Sequence, residues 1–375
     1  MLGLYVHIPF CAAICNYCNF NRGLFDAELK ARYVDALVRE IAEAPRERGP
    51  EAADTIYFGG GTPSLLSPDD VARIIEACRS AFRVSGDAEI TLEANPETVT
   101  VPLLSGFRAA GVNRLSFGVQ SLRDDELIRL SRLHGAARAR AAVANARDAG
   151  FDNISIDLMM WLPGQRTSDW LESVDGAIAL APEHVSLYML EVYPNAPLRD
   201  EMARAQWSQA PDEDAEAMYF TAMARFEAAG LLQYEISNVA RPGRESRHNT
   251  KYWNDGEWFG FGCGAHSTRE GVRWKNTSST TKYVERTMRS GSTRTDVHRL
   301  SPDERLGDAL FTGLRLSRGV DLDAVGARYG TDVWGRYGAQ LQPFVDEHLL
   351  TREGSRLRLT RRGMLLANEV MAVFV

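Results

Sequence analysis

Short runs of β-branched and aromatic residues alternate with longer amphipathic stretches from the start of the chain to about residue 230. The runs that predict strands are LYVH, TIYF, EITLE, RLSFG, NISIDL and HVSLYMLE. The stretches between them that predict helices are Asp26 to Ala44, Pro68 to Phe82, Ala136 to Ala149 and Asp169 to Leu180. Each is long enough for the crossover that joins two parallel strands. The pattern therefore predicts an α/β domain of six strand–helix units, an incomplete TIM-like (β/α)6 barrel, with an open doubly wound sheet as the alternative.

The pattern changes after residue 230. Residues Tyr234 to Thr268 are rich in Gly, Asn and aromatics and have no clean period, so we expect an irregular segment over the barrel mouth. The last part predicts helices at Pro302 to Leu314, Asp321 to Tyr329 and Val333 to Glu347, then a hairpin turning at Gly354 and a final helix. We therefore expect a barrel domain over 1–230, the irregular segment over 231–285, and a mainly helical, winged-helix-like cap over 286–375.

Composition narrows the classes of protein. The chain has 375 residues, of which 45% are apolar and 25% charged, as in ordinary globular proteins. A net charge of -7 argues against a broad nucleic-acid face, so we expect the C-terminal cap to be structural and not a DNA reader. No apolar run approaches the roughly 18 residues that a membrane span needs. Five cysteines, mostly crowded together, do not form a disulfide framework and predict a reducing cytoplasm.

Three of these cysteines, Cys11, Cys15 and Cys18, follow the spacing C-x3-C-x2-C directly after the first predicted strand. A short loop could direct all three sulfurs at one metal centre. Structural zinc would need a fourth ligand and could recruit His7, but zinc sites generally use two separated ligand pairs. A 4Fe-4S cluster held by three thiolates keeps one iron open. Because the amino and carboxylate groups of S-adenosylmethionine can chelate an open iron, the spacing favours the cluster over zinc.

Further polar residues stand where predicted strands end. Gly59 to Pro63, GGGTP, follows the second strand, and three glycines let a backbone approach a ligand closely. Glu93, Gln120 and Asp157 stand at or near the ends of later strands, and barrel enzymes place their ligands at the carboxyl ends of strands. Arg132 could pair with a carboxylate through its planar guanidinium group. Together these residues suit a cofactor that carries an amino group, a carboxylate and ribose hydroxyls.

The cysteine spacing, with Tyr17 just before the third cysteine, resembles the radical SAM superfamily, in which reductive cleavage of S-adenosylmethionine gives a 5'-deoxyadenosyl radical. The segments LYVHIPFC, YFGGGTPSLL, EANPE, RLSFGVQS, LPGQ, YEISNVARPGRESRHNTKYW and GCGAHS are similar to relatives of oxygen-independent coproporphyrinogen III dehydrogenase, the HemN and HemW group. This resemblance spans nearly the whole chain. It implies cluster ligands at Cys11, Cys15 and Cys18. It also implies S-adenosylmethionine contacts at Tyr5, Tyr17, Gly60, Gly61, Thr62, Glu93, Gln120, Arg132 and Asp157.

Two departures from the dehydrogenase branch affect the expected function. The dehydrogenase has a further cysteine where this chain has Phe20, and an N-terminal extension where only four residues precede Tyr5 here. We therefore expect the HemW branch, which looks like a haem chaperone that binds haem and hands it to acceptor proteins. The alternative is a radical oxidoreductase of the coproporphyrinogen type. The resemblance implies haem and haem-accepting proteins as partners and leaves open the acceptor, peripheral membrane contact and the oligomeric state.

The segment HNTKYW, His248 to Trp253, matches the H-N-x-x-Y-W motif of the HemW branch. The resemblance implies that His248 is an axial ligand of haem iron, with the flanking aromatics against the flat porphyrin. The alternative is a histidine packed in the core. Cys263, inside GCGAHS, is expected to be a buried hydrophobic residue and not a ligand.

Overall fold

The computed structural model describes residues 1–47, 49–289 and 291–375. Its strands, in chain order, are β1 (Leu2–Ile8), β2 (Phe10–Cys11), β3 (Gly23–Leu24), β4 (Ala52–Gly60), β5 (Arg83–Ala94), β6 (Arg114–Gln120), β7 (Ile154–Met160), β8 (His184–Met189), β9 (Leu232–Glu235), β10 (Asn238–Ala240), β11 (Trp258–Phe261), β12 (His266–Arg269), β13 (Val272–Asn276), β14 (Arg294–Arg299), β15 (Val320–Asp321), β16 (Leu350–Glu353) and β17 (Arg356–Leu359).

The helices lie between these strands and, towards the C-terminus, form a unit of their own. In chain order they are α1 (Ala27–Glu43), α2 (Pro68–Ala81), α3 (Val101–Ala110), α4 (Asp124–Arg129), α5 (Ala136–Asp148), α6 (Thr167–Ala179), α7 (Pro197–Ala205), α8 (Asp212–Ala228), α9 (Arg247–Trp253), α10 (Thr280–Met288), α11 (Pro302–Gly313), α12 (Leu322–Tyr329), α13 (Val333–Asp346), α14 (Arg361–Leu365) and α15 (Ala367–Met371).

The six predicted strands are confirmed as β1, β4, β5, β6, β7 and β8, which are neighbours in one sheet and run parallel. These strands are the partial barrel. The sheet continues on both sides, with β11 parallel to β1 and the antiparallel strands β12, β13 and β14 beyond it. Antiparallel β10 and β9 follow β8 on the other side. Because β1, β4, β5, β6, β7 and β8 are parallel, their carboxyl ends lie at the same edge of the sheet, which is where ligands bind in such folds.

The predicted helices are confirmed, and their ends agree with the structure to within about two residues because local capping fixes them. The Asp26 side chain accepts from the Leu29 N–H group at the start of α1. Ser67 and Asp70 form a reciprocal capping box at the start of α2, and Pro68 occupies the first helical position after the Ser67 cap. Helix α8, whose amphipathic pattern is weak, was not predicted.

The segment expected to be irregular, Tyr234 to Thr268, differs from that expectation. It contains β10, α9, β11 and part of β12. Its position is also different, because His248 of α9 lies against Gly3 and bonds Thr55, near the amino ends of β1 and β4. The cysteines follow the carboxyl end of β1. Helix α9 therefore lies at the end of the barrel opposite to the mouth, contrary to the expectation for this part of the segment. The residues after β11 do reach the mouth, where the Cys263 carbonyl accepts from Asn21 of the cysteine loop.

The C-terminal helices build a second core of their own, in which Leu310, Leu341, Leu357 and Val370 are buried. The predicted hairpin is confirmed as β16 and β17, which turn at Gly354 with a positive φ of 62° and pair with β15. A left-handed turn of this kind suits glycine because a side chain would be strained there. No helix among the described residues combines the length and the apolarity that crossing a lipid bilayer requires.

Candidate functional site at the barrel mouth

The three cysteines lie together in the loop that leaves the carboxyl end of β1. Short strands β2 and β3 pair across the base of this loop, and the Cys18 N–H donates to the Cys15 carbonyl at 3.2 Å. Burial raises the pKa of the Cys11 and Cys18 thiols, the neighbouring thiols add to this rise, and the Arg22 guanidinium opposes it. The three sulfurs are therefore close enough to interact electrostatically, and the Arg22 guanidinium lies beside them.

The glycine loop after β4 holds this cysteine segment by its backbone. The Gly61 and Thr62 N–H groups donate to the carbonyls of Ile8 and Phe10, each at 2.8 Å. A Cβ on Gly61 would stand only 3.0 Å from the Cys11 sulfur and 2.8 Å from the Phe10 carbonyl oxygen. The sequence predicted that these glycines let the backbone approach a ligand; in the structure the close approach is to the cysteine segment itself.

Two half-buried carboxyl groups lie at the mouth. Glu93 accepts from the Tyr57 hydroxyl at 2.7 Å and from the Gly60 N–H group at 3.2 Å. Asp157 accepts from the Ser116 hydroxyl at 3.2 Å. Burial raises the pKa of Glu93 to about 7 and that of Asp157 to about 6. No cation pairs with either group among the described residues, so both are prepared to accept from an amino or hydroxyl group of a ligand.

Arg132 joins the cysteine loop to the neighbouring strands. Its guanidinium donates to the Asn95 side-chain oxygen at 2.8 Å and to the Gly118 carbonyl at 2.7 Å, and lies 3.4 Å from the Cys15 sulfur. The Arg132 Nε atom and the Gln120 Oε1 atom are both buried without a hydrogen-bond partner. Buried polar atoms are rarely left unpaired, so these two atoms are available to a polar ligand.

Asn95 is a site residue that the sequence reasoning missed. Besides accepting from Arg132, its side chain donates to the Thr62 hydroxyl at 3.2 Å, so it ties the glycine loop to the arginine. It stands within EANPE, directly after β5, and that position at a strand end was the available signal.

Tyr5 and His7 lie in the barrel lumen beneath the cysteines. The two His7 ring nitrogens face the Tyr5 hydroxyl at 3.0 Å and the Asn21 carbonyl at 2.7 Å. His7 therefore offers no free nitrogen as the fourth zinc ligand that the zinc alternative needs. Tyr17 packs on a small apolar cluster at the mouth that includes Leu130 and Leu162.

These residues fit a 4Fe-4S cluster and S-adenosylmethionine by the chemistry of their donors. Three thiols are gathered beside two guanidinium groups, and unpaired polar atoms and two carboxyl groups that form no ion pair lie on the neighbouring strands. Within 1–47, 49–289 and 291–375, no three His, Cys, Asp or Glu side chains converge on one metal ion. A cubane cluster takes each thiolate on a different iron, so its ligands are spread around it.

His248 lies away from the cysteine site at the barrel mouth. Its ring nitrogens face the Thr55 hydroxyl at 2.8 Å and the Tyr252 hydroxyl at 2.7 Å, and the side chain is 1% exposed. The ring stacks on Tyr57 with centroids 5.0 Å apart. Burial lowers the pKa of His248 to about 3, so the imidazole is neutral. With both nitrogens engaged, the geometry favours the core-histidine alternative over an axial haem ligand.

The rest of the motif connects the barrel to the C-terminal unit. The Arg315 guanidinium lies over the Trp253 ring at 4.3 Å from its centroid, and the Tyr329 hydroxyl donates to Asp255 at 2.5 Å. Trp253 and the nearby Asp255 therefore pack the closed end of the barrel against the residue stretch after α11 and against α12.

The fold and the cysteine site together define a radical SAM protein. Residues 5–176 match the radical SAM superfamily, and residues 300–366 match the HemN C-terminal domain. The structure is similar to that of coproporphyrinogen III oxidase (HemN) from Escherichia coli, with a TM-score of 0.88 over 100% of this chain and 89% of that one. The two are 23% identical, so this likeness shows the fold.

Within that class, the relatives are more specific. The chain is 36% identical over 376 residues to the heme chaperone HemW of Bacillus subtilis (strain 168), covering 100% of this chain and 99% of the relative. It is 37% identical to the heme chaperone HemW of Mycobacterium tuberculosis (strain ATCC 25618 / H37Rv), covering 98% and 93%. The chain belongs to the HemW family.

We expect His248→Ala to destabilise the protein without changing a haem spectrum, because it strands the buried Thr55 and Tyr252 hydroxyls. The free energy of unfolding should fall by about 2 to 4 kcal/mol. His266→Ala, at an exposed position, is the matched control and should unfold like the wild type. Denaturant unfolding and haem absorbance of both variants distinguish a core histidine from an axial haem ligand. An altered haem spectrum with unchanged stability would indicate that His248 is the ligand.

Proposed function

We propose that this protein is a haem chaperone that binds haem and transfers it to acceptor proteins, and that it carries a 4Fe-4S cluster whose open iron binds S-adenosylmethionine. The single observation that carries the proposal is the full-length similarity to heme chaperones of the HemW family. Phe20, at the position of the dehydrogenase's further cysteine, agrees with this branch.

The cofactor part of the proposal rests on the mouth residues. Cys11, Cys15 and Cys18 would hold three irons of the cluster. Gly60, Gly61, Thr62, Glu93, Gln120, Asp157 and Arg132, with Tyr5 and Tyr17, would hold S-adenosylmethionine. In this assignment the Arg132 guanidinium pairs with the cofactor's carboxylate, while Glu93 and Asp157 accept from its amino and hydroxyl groups. The cluster and S-adenosylmethionine, when bound, supply one-electron reductive chemistry.

The two half-buried carboxyls give the site a preference for a cation. Because burial raises the pKa of Glu93 to about 7 and that of Asp157 to about 6, part of the Glu93 population and a smaller part of the Asp157 population are protonated near neutral pH. The positive charge of S-adenosylmethionine would stabilise their ionised forms, so cofactor binding would release protons. The five cysteines are all free, which agrees with action in the reducing cytoplasm.

The second candidate is a radical oxidoreductase of the coproporphyrinogen type. The observation in its favour is the set of polar residues at the mouth that would contact S-adenosylmethionine, because transfer of haem needs no radical. The two candidates share one fold, so only the chemistry at the site separates them.

The cluster assignment predicts that anaerobically reconstituted protein holds four irons and four sulfides, and that changing any one of Cys11, Cys15 or Cys18 to Ala abolishes the cluster. Loss follows because each thiolate holds a different iron. Cys78→Ala is the control, since this cysteine is buried in α2, outside the loop. Stoichiometric zinc without iron or sulfide in the wild type would contradict the assignment.

For Arg132, we expect Arg132→Met to weaken S-adenosylmethionine binding by about 2 to 5 kcal/mol, since the cofactor's carboxylate would lose its cation in a partly buried site. Calorimetry on cluster-loaded protein measures this, with the exposed Arg140→Met as the matched control. Iron and sulfide contents should stay at the wild-type level. Unchanged affinity in Arg132→Met would remove this residue from the cofactor site.

The function itself is tested on the cluster-loaded wild type. We expect a haem titration to saturate, and the loaded protein to pass haem to apomyoglobin, which serves as a general acceptor. With coproporphyrinogen III, S-adenosylmethionine and a reductant, we expect no decarboxylation. Decarboxylation with stoichiometric 5'-deoxyadenosine, in a protein that binds no haem, would replace the chaperone by the oxidoreductase.

A further inference from the structure

Residues 11–25, which we term the rim segment, expose four large apolar side chains beside the cysteine site. Phe20 is 69% exposed, Leu24 62%, and Ile14 and Phe25 43% each. Single exposed apolar residues are common, but several on one short loop next to a ligand site form a patch of the kind that contacts a partner. The rim segment is therefore a candidate docking surface for an apolar ligand.

The rim segment carries a single charged side chain, Arg22, which stands between Phe20 and Leu24. The Arg22 guanidinium donates to the carbonyls of Phe20 and Cys18, and its Nε atom is buried without a partner. Among the described residues no carboxylate pairs with it. The Cys11 and Cys18 sulfurs are close enough to interact with this charge, but no carboxylate neutralises it, so the cation can pair with a carboxylate that arrives with a ligand.

The surface is held in place before any ligand arrives. The Asn21 side chain donates to the Cys263 and Ser278 carbonyls, both at 3.1 Å, and the Asn21 carbonyl lies 2.7 Å from the His7 ring. The Phe25 N–H donates to the Cys11 carbonyl at 2.9 Å, and β2 pairs with β3. Binding to a preformed surface costs less ordering entropy than binding to a mobile loop.

We propose that the rim segment is the haem-docking surface, on which the macrocycle lies against Phe20, Leu24 and Phe25 while a propionate pairs with Arg22. The proposal rests on the haem-binding function proposed above and locates it at the barrel mouth, away from His248. Charge complementarity selects haem as the occupant, because haem combines a flat apolar ring with carboxylates. A second copy of this chain would instead bring an identical Arg22 to the same patch.

Haem titration of cluster-loaded protein tests this surface. We expect the double variant Phe20→Ser with Leu24→Ser to bind haem at least about tenfold more weakly, because two apolar side chains leave the contact. Arg22→Met should cost about tenfold for haem and nothing for iron protoporphyrin IX dimethyl ester, whose carboxylates are blocked. Val297→Ser, at another exposed apolar position that is 63% exposed, should bind like the wild type.

Three outcomes would overturn the proposal. If the wild type and the double variant bind haem equally, the rim segment is not the haem surface, although haem binding by the protein would stand. If the double variant binds haem normally but fails to pass it to apomyoglobin, the rim contacts an acceptor protein; if it only changes the oligomeric state, it contacts a second copy. A wild type that binds no haem would instead refute the proposed function. Iron and sulfide contents confirm that each variant retains its cluster.

Discussion

The site depends on the pair of backbone hydrogen bonds from Gly61 and Thr62 to the carbonyls of Ile8 and Phe10. They fix the start of the cysteine loop to the end of the adjacent parallel strand, at an approach so close that no side chain fits at Gly61. Because Gly60 also donates to Glu93, the same loop connects the cysteines to the next strand. The glycine loop therefore positions the cysteine thiols, the Glu93 carboxyl group and, through Asn95, the Arg132 guanidinium relative to one another.

Below the mouth, the lumen is filled by rings that continue this support. His248 stacks on Tyr57, whose hydroxyl donates to Glu93, and Tyr5 lies against His7 beneath the cysteine loop. His248 of the H-N-x-x-Y-W motif is thus connected through Tyr57 to Glu93 at the candidate cofactor site. A substitution at His248 would therefore remove packing from beneath the residues that support Glu93.

The placement of charge follows from burial. Glu93 and Asp157 are half-buried, while the guanidinium groups of Arg132 and Arg22 donate to carbonyl oxygens and lie beside sulfurs. Among the described residues these four groups form no ion pair with one another. That separation suits ligands that carry both signs of charge, since each group remains available to a partner from outside.

The sequence by itself determined whatever depends on neighbours along the chain. Alternation predicted the six parallel strands, capping residues such as Asp26 and Ser67 set the helix ends, and the cysteine spacing indicated the metal chemistry. Only the tertiary structure decided which end of the barrel the segment around His248 closes, because β11 pairs with β1 across more than two hundred residues of chain. It also decided that Asn95 bridges Thr62 and Arg132, and that Phe20 and Leu24 stay exposed. Such contacts join residues far apart in sequence, and no local pattern encodes the long-range pairing that brings them together.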